Sequence, residues 1–312
     1  MKKIGDHNSP IMTQTLQGIA PISELGVIRV QGDDAASFLH GQLTQDFALL
    51  DLQHARLAAF CSAKGRMQAS FIGLKRAPDD ILLLCSRDLL AQTLKRLSMF
   101  VLRAKAKLSD ASSDFQLLGL VGSAVIPSAQ APWHMDVEGE ARIVHLYPAA
   151  GQARALWIAP TGTPTPAGPV LSAEQWQWTE VASGVATVSL PVYEQFVPQM
   201  LNYESIGGVN FKKGCYPGQE VVARSQFRGT LKRRAFIVHA AHPLHAGQEV
   251  FAASDPEQAT GTVVQAAAAP QGGWDAIVSM QIQSANEALS AGSPAGTSLT
   301  IQPLPYALLE DI

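Results

Sequence analysis

The sequence predicts an α+β chain that ends in an all-β barrel, and three features predict it. From residue 57 to residue 108, strand-like runs and one amphipathic helix follow in a ββ-β-α-β order, the pattern of a ferredoxin-like unit. Beyond Arg234, β-patterned runs recur at residues 235–240, 247–252, 260–266, 276–282 and 297–301, between segments rich in Gly, Pro, Ser and Asn. A chain of 312 residues has room for two or three such units.

The elements follow from local patterns. Val27-Ile28-Arg29-Val30 alternates as a strand that Gly32 ends, and Asp33 or Asp34 then caps a helix with Ala35, Phe38, Leu39 and Leu43 on one face. Residues 57–61 and 67–75 form a hairpin around Ala63-Lys64-Gly65-Arg66. The turn Pro78-Asp79-Asp80 leads to a strand over 81–85, a helix over 87–100 with Leu89, Leu90, Leu94 and Leu97 inward, and a strand over 104–108. Strands near 115–121, 142–147 and 155–159 precede a Pro/Gly/Thr loop over 160–169. Ser172-Ala173-Glu174-Gln175 matches a capping box, opening a helix that carries Trp176 and Trp178 and stops near Gly184.

Composition narrows the class. A hydrophobic content of 47%, a charged content of 16% and a mean hydropathy of +0.08 describe a soluble globular protein. No apolar run approaches the roughly 18–20 residues of a membrane span. Met1-Lys2-Lys3-Ile4-Gly5-Asp6-His7 turns polar with no secretory core behind it, so a cytoplasmic protein away from membranes is expected. Cys61, Cys85 and Cys215, odd in number and far apart, offer no disulfide framework. They also fall short of the four thiolates of an iron–sulfur cluster and of a Cys-x-x-Cys zinc knuckle. His239, His242 and His245 recur at intervals of three but straddle a strand end and Pro243, so no resident metal is expected.

The net charge of −3 conceals an asymmetry. Seven basic residues against Glu220 give +6 between Lys212 and Arg234, leaving −9 for the remainder. Such a stripe attracts anions, a nucleic acid among them; a solvated helix followed by an edge strand is the plainer alternative.

Within that stripe, Lys212-Lys213-Gly214-Cys215-Tyr216-Pro217-Gly218-Gln219-Glu220 sets a cysteine beside two lysines on a Gly/Pro turn. A helix over 218–227 follows, with Val221, Val222 and Phe227 on its apolar face and Pro217 suited to the first helical position. Cys215 is then expected near a helix N-terminus, where unpaired N–H groups and the dipole favour an anion. That placement and the lysines together lower a thiol pKa from about 8.5. A poised thiolate is one reading, and a small buried hydrophobe in a structural turn is the other. Gln219 and Glu220 suit the backbone donors of the helix start, and Arg224 suits an i,i+4 pair with Glu220.

The string from Gly207-Gly208-Val209-Asn210-Phe211 through Lys213-Gly214-Cys215-Tyr216 to Val221-Val222-Ala223-Arg224 resembles the YgfZ family of folate-binding proteins, relatives of the aminomethyltransferase (T-protein) of glycine cleavage. Further blocks stand in the family order: Gly32-Asp33-Asp34-Ala35, Phe38-Leu39, Gly41-Gln42-Leu43-Thr44-Gln45-Asp46 and Cys61-Ser62-Ala63-Lys64-Gly65-Arg66-Met67. Pro198-Gln199 with Asn202 and Gln302-Pro303-Leu304-Pro305-Tyr306 complete the set. The Lys-Gly-Cys-Tyr-x-Gly-Gln-Glu block is highly specific, the N-terminal blocks moderately so.

The resemblance implies a three-domain aminomethyltransferase-like (GcvT-like) α+β fold, with two ferredoxin-like α+β domains and a C-terminal β-barrel around a central channel. Residues 1–50 plus 113–230 would form a split folate-binding domain, 51–112 an inserted ferredoxin-like domain, and 231–312 the barrel. Tetrahydrofolate is the implied cofactor, its glutamate carboxylates suited to the basic stripe. Trp176 would stack on the pterin. Lys213, Gly214, Tyr216, Gln219 and Arg224 would complete the site, with Lys64-Gly65-Arg66 lining the channel. Leu25 stands near where the family often has a second tryptophan.

The resemblance implies a folate-binding accessory protein that supports iron–sulfur cluster assembly or repair, including iron–sulfur enzymes of tRNA modification, with Cys215 as the reactive thiol. Its partners would be cluster assembly proteins or client enzymes. Two alternatives stand beside it. Aminomethyl transfer to tetrahydrofolate needs a carboxylate near the folate N5, and Gly65-Arg66-Met67-Gln68-Ala69-Ser70 carries none where the T-protein has its Asp. Direct tRNA binding would use the basic stripe from Lys212 to Arg234.

Overall fold

The chain starts in one sheet, leaves it for a second, and returns. The structure is a computed structural model describing residues 16–126, 130–227 and 231–309. The Met1–His7 stretch, and Arg228 of the basic stripe between Lys212 and Arg234, lie outside the described residues.

After β1 (Gly18–Pro21), the chain builds a second sheet from β2 (Leu25–Gln31), β3 (Arg56–Cys61), β4 (Met67–Ala77), β5 (Asp80–Ser86) and β6 (Lys107–Asp110). They are ordered β3-β4-β5-β2-β6 and all antiparallel. The helices α1 (Ala35–His40) and α2 (Arg87–Ser98) belong to the same unit. Phe38, Leu39, Leu43, Phe47, Phe60, Phe71, Leu90 and Leu97 share its core.

The division expected above places β2 and α1 with the first domain, within residues 1–50; in the structure β2 is an interior strand of the second sheet. The sequence LGVIRVQ is apolar on both faces, which suits a central position: Val27 packs towards the first unit while Ile28 and Val30 pack inside the second.

The return strand β7 (Phe115–Val121) pairs with β1, and β8 (Met135–Glu138), β9 (Ala141–Ala149) and β10 (Gln152–Pro160) complete a sheet ordered β1-β7-β10-β9-β8. The capping box of α3 (Ala173–Ala182) forms as the pattern predicts, with Ser172 accepting from the Gln175 N–H and Gln175 reaching back. This helix joins two cores. Trp176 enters the core of the first sheet, and Trp178 enters the core at the centre of the molecule, where its indole N–H donates to Asp275 at 2.7 Å.

Residues 183–218 are largely irregular and thread between the units. Asn202, left-handed at φ 59°, donates to the Ala235 carbonyl and accepts from the Ala235 N–H. After α4 (Gln219–Phe227), a closed barrel forms from β11 (Arg233–Ala240), β12 (Glu249–Ala252), β13 (Asp255–Ala268), β14 (Trp274–Gln281), β15 (Leu289–Ala291) and β16 (Thr297–Gln302). Among the described residues no helix is long and apolar enough to cross a membrane.

Candidate functional site

Three separated sequence blocks meet around Cys215. The first is the loop after α1, which the 207–214 segment covers: Thr44 Oγ1 donates to the Gly208 carbonyl at 2.6 Å, Gln45 donates to the Gly207 carbonyl, and the Asn210 N–H donates to the Thr44 carbonyl. The second is the β3–β4 hairpin tip, which lies against the start of α4. A Cβ on Gly218 would sit 2.4 Å from the Ser62 carbonyl oxygen and 2.7 Å from the Gly65 backbone, so only glycine fits there. Arg66 anchors this tip by donating to the Gln195 carbonyl at 2.6 Å. The Arg66 guanidinium is thereby tied to protein backbone, while Lys64 stays exposed.

Cys215 is exposed, whereas Cys61 and Cys85 are buried, and burial pushes both of those thiols up to about 12. The turn holding Cys215 differs from the expectation. Gly218, at φ +80°, accepts the first helical hydrogen bonds, so α4 begins at Gln219 and Pro217 lies before the helix instead of at its first position. Cys215 precedes α4 by a full turn of chain. Phe227, placed above on the apolar face, is instead half-exposed and meets Phe211 edge-on at 5.2 Å.

Lys213 points inward. Its ammonium donates to the carbonyls of His40 (2.6 Å), Leu43 (3.0 Å) and Gly214 (3.1 Å) and lies 4.6 Å from the centre of the Tyr216 ring. Burial pulls its pKa down to about 8, against the opposing pull of Asp46 and Cys215. It serves as a clamp between the blocks. Tyr216 is buried, and Gln219 and Arg224 lie on α4, Arg224 outward beside Glu220 and Phe227. His40 completes the cluster, its Nδ1 3.0 Å from Asp46 Oδ1.

Trp176 and Leu25 are elsewhere. Both are buried in the core of the first sheet, and Trp176 has no exposed surface. One edge of its indole would clash with any Cβ on Gly119, at 2.2 Å, and the Arg154 guanidinium covers its ring at 4.5 Å. Direct stacking on a pterin, expected of Trp176, is therefore closed to it in this arrangement: the ring has no exposed surface, and Arg154 covers one face.

The residues that do line a cavity at the junction of the units are Ile72, Trp133, Leu146, Tyr147, Arg154, Glu180, Ser183, Val185 and Thr187, and Cys215 is not among them. Its accessible volume is about 30 Å³, room for a water or two. Trp133 holds a left-handed backbone at φ 72°, donates its indole N–H to the Ile206 carbonyl, and meets Tyr147 edge-on. Glu180 keeps part of its surface in solvent, but its carboxyl is enclosed, and that burial pushes it up to about 7 against the pull of Arg154. Trp176 Nε1, one helical turn back, is buried without a hydrogen-bond partner of ordinary geometry, and lies near enough to Glu180 to favour its ionised form. Sequence reasoning missed Arg154 and Glu180. A lone arginine inside the apolar strand Gln152–Pro160 was the available signal.

Among the described residues no group of three or more His, Cys, Asp or Glu has the arrangement to hold a metal ion. No protein-family model matches the chain. It is 31% identical over 304 residues to the tRNA-modifying protein YgfZ of Edwardsiella ictaluri, covering 90% of this chain and 89% of that one. The chain belongs to the YgfZ family. The YgfZ protein of Photorhabdus laumondii is 28% identical, covering 97% of this chain and 96% of its own. Among solved structures, the glycine cleavage aminomethyltransferase T of Bartonella henselae superposes with a TM-score of 0.70 over 94% of this chain and 87% of that one, at 14% identity. The chain thus has the aminomethyltransferase fold, and its cysteine block lies beside the α1 loop and the hairpin tip.

Proposed function

We propose that this protein is a folate-binding accessory factor for tRNA modification, supporting the iron–sulfur enzymes of that process with Cys215 as its working thiol. The observation that carries the reading is the placement of Cys215: alone of the three cysteines it is exposed, and three motif blocks far apart in sequence build its surroundings. The name of the Edwardsiella relative, a tRNA-modifying protein, supports the process. The fold shared with an aminomethyltransferase supports a folate.

The junction cavity suits a pterin by its chemistry. The aminopyrimidine edge of a pterin offers N–H donors, which an enclosed carboxylate such as Glu180 accepts, and its carbonyl accepts from a guanidinium such as Arg154. Trp133 and Tyr147 supply flat faces. Its small volume means that side chains lining it move apart to admit the ring. A bound tetrahydrofolate would bring a carrier of one-carbon units. The chain's own residues would orient the pterin and exclude water, and Cys215 would act from its separate surface.

Two measurements test the reading. Tetrahydrofolate titration should quench tryptophan fluorescence saturably. Cys215→Ala should bind folate as the native protein does, yet fail to support a tRNA-methylthiolating iron–sulfur enzyme. A linear, unsaturable response together with full support by Cys215→Ala would refute it.

A further inference from the structure

We propose that the β3–β4 hairpin tip, the turn before α4 and the outer face of α4 together bind an unpaired segment of RNA. This rests on the reading of the process as tRNA modification and names the RNA as a direct partner; it depends on neither Cys215 nor a folate. The structure redraws the basic stripe read from the sequence. Lys213 and Arg234 are buried, Lys213 on backbone carbonyls and Arg234 on Glu204 at 2.6 Å, so neither faces outward. The hairpin tip takes their place. Lys64 and Arg66 flank Gly65, which packs on Val221 of α4. Burial, and then the charge of Arg66, hold the Arg233 pKa below the ordinary arginine value, so the tip and the first barrel strand share one cationic surface.

The cations on this surface lack counter-ions. Arg66 donates to the Gln195 carbonyl (2.6 Å) and Arg233 to the Thr260 carbonyl (2.9 Å), which fixes each guanidinium and leaves its other donors unused. Lys64, Lys212 and Arg224 are exposed. Among the described residues none of these five has a carboxylate at ion-pair distance, and the pair expected between Arg224 and Glu220 does not form. Glu220 is the only acid in the sequence between Glu204 and Glu249. Such a surface attracts a polyanion. An aromatic pair says which one. Phe211, from the turn, and Phe227, from the end of α4, meet edge-on at 5.2 Å, and Phe227 is 52% exposed. Phe227 and Arg224 line a groove of about 350 Å³ on α4. An exposed ring among cations offers a base a stacking face while the phosphates meet the charges, as on surfaces that bind single strands. A duplex keeps its bases stacked inside, so the ring favours an unpaired segment such as a tRNA loop.

Filter binding of the full chain to a tRNA transcript and to a single-stranded RNA of about 12 nucleotides tests this. For both, log K should fall steeply against log salt. Lys64→Gln combined with Arg224→Gln should weaken binding and make the salt slope shallower by about 1–2, one phosphate contact per cation. Phe227→Ala should weaken it by about fivefold or more at an unchanged slope, and Phe227→Tyr should restore it, a split that a loss of folding would not produce. An RNA duplex and a polyglutamate, each matched in charge to the single strand, should bind more weakly than it does. Native affinity in Phe227→Ala, or polyglutamate binding as tight as that of RNA, would overturn the proposal and point to an acidic protein partner instead. No RNA binding at about 50 mM salt would also overturn it. Folate quenching and the Cys215→Ala support assay are separate readouts, so that failure would leave the readings of those two sites standing.

Discussion

The Arg154 guanidinium lies 4.5 Å from the centre of the Trp176 ring and separates that indole from the junction cavity, which Arg154 itself lines. Burial lowers the Arg154 pKa to about 10. Its hydrogen bonds to Thr179 Oγ1 (2.9 Å) and the Tyr147 carbonyl (3.3 Å), with the π face beneath it, offset part of that cost. A desolvated cation–π contact contributes about 2 kcal/mol. Trp176 therefore acts on the cavity at one remove, by holding Arg154 in place.

A division of labour between two tryptophans follows. Trp133 faces the cavity and Trp176 supports it from beneath. Trp133→Phe should abolish most of the folate-induced quenching while keeping a ring for stacking. Trp176→Phe should keep most of the quenching and weaken binding by about three- to tenfold through a displaced Arg154. Fluorescence titration of both variants checks this, and quenching lost only in Trp176→Phe would contradict it.

Glu180 sets a pH dependence of stability. Its carboxyl rises from the ordinary 4.5 to about 7, so the folded chain holds this proton more tightly than the unfolded chain does. The contribution is complete below pH 4.5 and is lost as the pH climbs through 7. Between pH 5 and 8, wild type should lose up to about 3 kcal/mol relative to Glu180→Gln. Urea denaturation of the two proteins at several pH values measures the difference. Parallel curves would show that the carboxyl is solvated.

Strands were legible wherever alternation or an apolar run lasted five residues or more. β15, of three residues, and β8, with the sequence MDVE, gave no such signal. The barrel was still readable because its longer strands outnumber the short one. Helix α3 shows a different limit. Trp176 and Trp178 stand two positions apart, about 200° around the helix, so they must face different ways, and the sequence does not say which core each meets. The cysteine block announced itself by chemistry. That His40 and Gly65 lie against it depends on how the α1 loop and the hairpin tip dock, contacts that span more than 150 residues and leave no local trace.

Lys213 should be intolerant of its own conservative replacement. Lys213→Met strands the carbonyls of His40, Leu43 and Gly214, at a cost of about 2–4 kcal/mol at pH 7. Arginine should not rescue it, because a planar fork cannot converge on three carbonyls as an ammonium does. The depressed pKa adds a signature. Between pH 8 and 10.5 the unfolded chain binds more of this proton, so wild type should gain on Lys213→Met as the pH rises through that window. Denaturant midpoints at pH 7.5 and 10 test the sign.

Gly218 offers the cleanest probe of the three-block junction. Its φ of +80° disfavours any side chain, and a Cβ would approach the Ser62 oxygen to 2.4 Å and the Gly65 backbone to 2.7 Å. Neither neighbour is a flexible side chain, so relief requires the hairpin tip to withdraw from α4. Gly218→Ala should cost at least about 2 kcal/mol and expose the Cys215 turn to proteolysis. Gly139→Ala, also at positive φ (56°) but with no atom within 4 Å, should cost less, since it bears the backbone strain alone. Comparing the two by thermal unfolding separates contact from conformation, and equal losses would mean that the docking of the tip contributes little.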